Sequence, residues 1–300
     1  MRFTLPVALL LLISPLLALA EPTVIPLWPE GVPDAQPNGG QEYVENDRVF
    51  NVQQPSLTLH APPAGQANGT AVILCPGGGY GRLAVSVEGT PTSAWLTAQG
   101  VTCFILKYRL KEYGHPAPLR DVLRAVRLVR ARAAEFGVDP ARIGVYGSSA
   151  GGHLASCAAT LFDHPAGRTG HPLDAVSARP DFAILQYPVI LLEGPHAHRG
   201  SVQNLLGAQP SAELLTLLST DRQVSAQTPP VFLVHTAQDT SVPLENSLAF
   251  YTALRRAGVP AELHLYEKGP HGFGMRADLG PTSTWPRRCE EWMRSHGWLP

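Results

Sequence analysis

Lysine is almost missing from this chain: Lys107, Lys111 and Lys268 are the only three in 300 residues, and arginine carries the rest of the positive charge. The formal net charge is -1, which excludes a bulk electrostatic pull toward nucleic acid or anionic membranes. After the first twenty residues, no stretch stays apolar for the ~20 residues that a membrane-spanning helix needs. Cysteine is sparse as well. Cys75, Cys103, Cys157 and Cys289 follow no metal-site spacing, and three of them fall in apolar strands or a helix. We read them as buried, unpaired thiols.

The first twenty residues stand apart. Arg2 gives a short positive start, Leu5 to Leu17 an apolar run, and Ala18-Leu19-Ala20 a small-x-small cleavage site before Glu21. Residues 1–20 are therefore expected to be a signal peptide and residues 21–300 one catalytic domain, periplasmic or secreted. No cysteine follows the cleavage point, which argues against a lipid anchor, and no membrane insertion is expected after cleavage. A chain of this length with 44% hydrophobic residues can bury one large core.

Strands and helices alternate along the chain, which predicts a mostly parallel central sheet with helices on both faces. Ser56 to His60, Ala71 to Cys75 and Val101 to Tyr108 read as strands, and Ser86 to Gln99 as a helical region broken by Pro91. Leu119 to Phe136 reads as an amphipathic helix whose arginines form a solvated face. Two stretches, 163–180 and 191–227, break the alternation and are expected to shape the substrate cleft.

The segment Ile143 to Gly152 contains Gly147-Ser148-Ser149-Ala150-Gly151 between an apolar strand and an Ala-rich helix. A strand that turns abruptly into a helix holds its central residue in a strained, exposed position, with the helix N-terminus behind it. Gly147 and Gly151 flank it because a Cβ there would crowd strand and helix. Ser149 is thus the candidate nucleophile, and Ser148 points away from the cleft.

A nucleophilic serine needs a base and an orienting acid, supplied in strand-to-helix hydrolases in the order Ser, Asp/Glu, His. Asp239 lies just past the apolar strand Val231 to Thr236. His271 follows the next strand, Ala261 to Tyr266, among glycines. Both sit at carboxyl ends of strands, where open α/β sheets bind ligands. Asp181, Asp221 and Glu245 compete for the acid's role but lack this placement. His235 and His264 lie inside strands and read as packed or hydrogen-bonded there; His196 and His198 lie in a polar loop.

The apolar strand Val72 to Cys75 runs into Pro76-Gly77-Gly78-Gly79-Tyr80. Amide N–H groups of Gly78, Gly79 and Ala150 can converge on a developing oxyanion. A phosphate-binding loop would need a Lys and a Ser/Thr at its helix start, and Gly81-Arg82-Leu83 supplies neither. Tyr80 and Tyr187 are candidate walls of the acyl pocket, with packing beneath the loops as the alternative.

These residues resemble the α/β-hydrolase superfamily, and more closely the secreted bacterial acetyl xylan esterases and related carbohydrate esterases. The likeness is carried by Leu27-Trp28-Pro29-Glu30-Gly31, Cys75 to Tyr80, Lys107 to Leu110, Gly147 to His153, Gln186 to Val189, Ala237 to Asp239 with Val242-Pro243, and Gly269 to Gly274. Relatives of the hormone-sensitive-lipase type have His before the glycine triplet; here it is Pro76, which favours the xylan-esterase branch. The resemblance implies an α/β-hydrolase fold and a cofactor-free, metal-free serine carboxylesterase. Its expected substrate is a short acyl ester of carbohydrate, such as acetylated xylan. A feruloyl or general short-chain esterase is the near alternative. A serine exopeptidase would need a substrate-anchoring domain for which this chain has no room, and a non-catalytic binding protein would not need the full site.

Overall fold

The structure, a computed structural model, describes residues 23–36 and 38–300. The leader expected over residues 1–20 lies outside the described residues. Eight strands line up in one sheet in the order β1-β4-β6-β5-β7-β8-β9-β10. β1 (Thr23–Pro26) and β4 (Ser56–His60) form the antiparallel edge, with β4 pairing antiparallel to β6 (Thr102–Lys107). From there the sheet is parallel through β5 (Ala71–Cys75), β7 (Ile143–Ser148), β8 (Phe182–Gln186), β9 (Val231–Thr236) and β10 (Ala261–Tyr266). A separate hairpin pairs β2 (Tyr43–Glu45) with β3 (Arg48–Phe50).

The central strands are continuous apolar runs because both faces are covered. Every residue of β5, β7, β8 and β9 is buried, the pattern expected of parallel strands packed by helices on two sides. One face packs against α2 (Ala117–Ala131), α3 (Ala150–Thr160) and α6 (Glu245–Arg256). The other meets α1 (Thr90–Ala98) and α7 (Trp285–Ser295), where Phe182, Trp292 and Trp298 cluster. Two short helices, α4 (Arg199–Leu206) and α5 (Ala212–Leu218), lie between β8 and β9.

The alternating pattern and the mostly parallel sheet match the sequence reading, and the four cysteines are buried and unpaired. Two expectations need correction. The arginines of α2 are not a solvated face: Arg124 is 4% and Arg127 2% exposed. Arg124 donates to Leu27 O and pairs with Glu30, while Arg127 donates to Gly167 O and pairs with Asp174. Arg120 and Arg130 likewise reach Asp34 and Asp181. The second correction follows from the first. Stretch 163–180 is spent covering α2 and contributes nothing to the cleft, whereas 191–227 does reach it.

Beside this layer sits a fully buried ion pair. Arg109 and Asp121, both 0% exposed, meet in a fork with Nε–Oδ2 at 2.9 Å and Nη2–Oδ1 at 2.8 Å. The Arg109 N–H and Trp28 Nε1 donate to the same carboxylate. Every lone pair that faces the core is thus occupied, which is the condition for a buried pair to be tolerated.

Candidate active site

β7 ends at Ser148 and α3 begins at Ala150, so Ser149 alone makes the turn. Its φ of 56° and ψ of -123° place a non-glycine residue in a region that costs about 1–3 kcal/mol. Two backbone bonds hold it there: its N–H donates to Gln186 O, and its carbonyl accepts from Val189 N, both at 3.0 Å. The flanking glycines are steric necessities. A Cβ on Gly147 would overlap the Gly151 backbone, and one on Gly151 would overlap the Cys75 carbonyl. Ser148 is fully buried and donates to Gln186 Oε1 at 3.0 Å, so only Ser149 faces the cleft.

The structure brings the three residues of the expected triad together. His271 Nε2 lies 2.9 Å from Ser149 Oγ, and His271 Nδ1 lies 2.7 Å from Asp239 Oδ2. Asp239 is oriented by its own loop, since Oδ1 accepts from the N–H groups of Ser241 and Val242, each at 2.9 Å. A further histidine stands behind it: His235 Nε2 is 3.3 Å from Asp239 Oδ2 and 3.0 Å from Val242 O. Val242 O can only accept, so Nε2 carries the proton and His235 Nδ1 accepts from Ser247 Oγ at 2.8 Å. Burial works to raise the Asp239 pKa, but hydrogen bonds from His235 and His271 outweigh it and hold the carboxylate well below its usual range. The competing acids are elsewhere: Asp181 caps Ile143 N, and Glu245 faces His196.

The glycine loop after β5 is held at four points. Tyr108 OH donates to Pro76 O at 2.6 Å, and Gly77 N–H donates to Glu88 Oε2 at 2.7 Å. Asn204, from α4, donates to Gly79 O at 2.8 Å. Tyr80, with φ of 59°, sets its hydroxyl 2.7 Å from His153 Nδ1. The N–H groups of Gly78, Gly79 and Ala150 find no acceptor among the described residues, as donors reserved for a developing oxyanion would.

The two tyrosines read as possible acyl-pocket walls are both buried instead, Tyr80 at 1% and Tyr187 at 0%. They are supports. Burial pushes the His153 imidazole down to about 4, so it stays neutral, donating from Nε2 to Leu218 O and accepting from Tyr80. Tyr187 packs its ring edge-on to His271 at 4.9 Å and donates to Glu88 Oε1 at 3.0 Å. Gly274 N–H donates to the same hydroxyl. Glu88 therefore links the glycine loop to the His271 loop, and burial raises its pKa.

A cleft of about 480 Å³ opens over Ser149 and His271. It is lined by Arg48 and Arg82 and by His198 and Asn204 of the 191–227 stretch. Sequence does not single out Glu88 or Asn204; it marks His153 only within a motif, and His235 only as a strand histidine that is packed or hydrogen-bonded, which it is. Each is an isolated polar residue in an apolar or polar run, and only the fold shows what it touches. Among the described residues no His, Cys, Asp and Glu cluster could hold a metal ion.

Residues 57–254 match the BD-FAE family model. The chain belongs to the BD-FAE family. Its curated relatives include an acetylxylan esterase of Xylanibacter ruminicola, 33% identical over 77% of this chain and 45% of that protein. An endo-1,4-beta-xylanase B of Butyrivibrio fibrisolvens is 36% identical over 69% of this chain and 33% of its own length. This BD-FAE chain thus spans a third to just under half the length of those relatives. Among solved structures, an acetyl ester-xyloside bifunctional hydrolase from Caldicellulosiruptor lactoaceticus superposes with a TM-score of 0.82 at 41% identity, covering 93% of this chain and 97% of that one. A butyrate-bound thermophilic esterase from Thermogutta terrifontis gives 0.69 at 25% identity, covering 87% and 96%. The fold is that of the α/β-hydrolase esterases.

Proposed function

We propose that this chain is a serine carboxylesterase that removes short acyl groups, acetyl above all, from carbohydrate esters of the xylan type. The observation that carries the reading is the unbroken chain from Ser149 through His271 to Asp239 beside the unpaired amides of Gly78, Gly79 and Ala150. The relatives named for acetylxylan esterase and acetyl ester-xyloside hydrolase activity support the substrate class. The leader expected over residues 1–20 supports a periplasmic or secreted location.

His271 Nδ1–H donates to Asp239, which leaves Nε2 as a base toward the Ser149 hydroxyl. Ser149 Oγ attacks the ester carbonyl as its proton passes to Nε2. The carbonyl oxygen, now negative, turns toward the Gly78, Gly79 and Ala150 N–H groups, each worth ~10²–10³ in rate in a comparable site. The imidazolium, stabilised by Asp239, returns the proton to the departing sugar oxygen. Water then repeats the sequence on the acyl-enzyme and frees the acid.

Acyl preference tests the reading. Acetate release from acetylated xylo-oligosaccharides is compared with turnover of a feruloyl ester, a long-chain triglyceride emulsion and a dipeptide anilide. We expect acetyl release to lead by at least an order of magnitude, with no activation at a lipid–water interface. A faster feruloyl, triglyceride or anilide reaction would displace the carbohydrate acetylesterase.

A further inference from the structure

The arginines of this protein are mostly committed. Arg109, Arg120, Arg124, Arg127 and Arg130 each close on a carboxylate. Arg48 and Arg82 do not: among the described residues no carboxylate comes within ion-pairing distance of either. Both line the cleft over Ser149 and His271. Arg48 even stands opposite Glu45 in the hairpin register without pairing with it. The one carboxylate lining the cleft, Glu88, is buried and already accepts from Gly77 N–H and the Tyr187 hydroxyl. Two guanidinium groups therefore face one cleft in which neither forms an ion pair, and buried Glu88 feels Arg48 only at a distance.

A planar guanidinium fork matches a carboxylate. The geometry also says which half of an ester would carry it. Arg82 is exposed and Arg48 half-buried, so both stand at the mouth rather than on the floor beside Ser149. An acetyl group ends one bond from the carbonyl that Ser149 attacks and cannot reach the mouth. The alcohol half can. Register places Tyr43, Glu45, Arg48 and Phe50 on one face of the hairpin. There the Tyr43 and Phe50 rings stack at 5.0 Å and 3°, with Tyr43 half exposed. Such a flat apolar surface suits the face of a pyranose ring.

We propose that Arg48 and Arg82 form a carboxylate-binding subsite, and that the preferred substrate is an acylated oligosaccharide bearing a uronic acid on or next to the acylated sugar. This deepens the esterase reading and rests on it. Arg82 is fixed near the reacting centre, since its N–H donates to Gly78 O in the glycine loop. Arg48 comes from the hairpin, which is joined to the same loop region by paired hydrogen bonds between Val49 and Leu83.

The test uses acetylated xylo-oligosaccharides with one glucuronic acid branch, and the same molecules with the carboxyl converted to its neutral amide. The acid should exceed the amide in kcat/KM by about fivefold or more, the product of two partly exposed ion pairs. The difference should sit mainly in KM and shrink at high salt. In the Arg48→Gln/Arg82→Gln double variant the ratio should fall to about one. Arg256→Gln, which changes an arginine outside the cleft, should keep the wild-type ratio. An acid-to-amide ratio near one in the wild type, or an unchanged ratio in the double variant, overturns the subsite. If a succinyl ester of the amide gains as much as the acid does, the carboxylate belongs on the acyl half and the proposal is likewise wrong. Absence of acetate release from every one of these sugars would instead defeat the esterase reading.

Discussion

Replacing Asp239 by Asn changes one atom, and the structure dictates which way the amide turns. Oδ1 accepts from the Ser241 and Val242 N–H groups, so the Asn oxygen must take that position. The alternative leaves two donors facing an NH₂, each costing about 1–3 kcal/mol if buried without an acceptor. The NH₂ then faces His271 Nδ1, where Oδ2 stood at 2.7 Å. A donor there forces the imidazole to carry its proton on Nε2 instead. Nε2–H can no longer accept from Ser149, 2.9 Å away. The base is lost while the fold is kept. In the reference triad the same change lowers kcat by roughly 10⁴, or about 5.4 kcal/mol of transition-state stabilisation at ~1.36 kcal/mol per decade. The assay is steady-state hydrolysis of an acetylated oligosaccharide, with p-nitrophenyl acetate in parallel, where an activated leaving group should reduce the loss. Melting curves report the fold. A kcat within tenfold of wild type, in a protein that melts normally, would refute the assignment of Asp239. Collapse in Glu245→Gln or Asp221→Asn would relocate the acid.

The same carboxylate makes a pH prediction. Its folded pKa lies below the unfolded value of about 3.9, so its stabilising contribution is present above that pH and lost as pH falls below it. The difference in Tm between wild type and Asp239→Asn should be largest at neutral pH and close below about pH 4; a gap that widens on acidification would contradict this. Tyr80→Phe leaves buried His153 Nδ1 without its donor, which should cost about 1–3 kcal/mol. Tm should drop by several degrees and kcat should fall through a looser glycine loop, and unchanged melting and kcat would remove that support. Asp121→Ala strands Arg109 at 0% exposure and should cost about 3–5 kcal/mol, read by urea denaturation, with a loss under 1 kcal/mol contradicting the buried-pair account.

Much of the site was legible because its chemistry constrains backbone as well as side chain. Gly147 and Gly151 are dictated by atoms a Cβ would strike, and Asp239 and His271 by chain order at the ends of β9 and β10. Apolar runs such as Val72 to Cys75 could be read as strands because both faces are covered. What escaped depended on contacts between distant segments. The arginines of α2 have the spacing of a solvated face. Only the N-terminal segment and residues 163–180, folding back over them, turn that face into an interface. Tyr80 and Tyr187 flank the site in sequence but point beneath it, because positive φ values of 59° and 35° turn each backbone at the loop. No local pattern encodes Arg48 as a cleft residue, since it arrives on a hairpin outside the main sheet.

The central claim is that acyl transfer from sugar passes through Ser149. Rapid mixing with acetylated xylo-oligosaccharide, acid quenching and peptide mass mapping tests it directly. One acetyl group should appear on the peptide containing Ser149 and on no other serine. It should accumulate more in any variant whose deacylation is slowed, and Ser149→Ala should give neither adduct nor acetate. Acetate released at an undiminished rate by Ser149→Ala, or an adduct that maps to Ser148, would contradict the account.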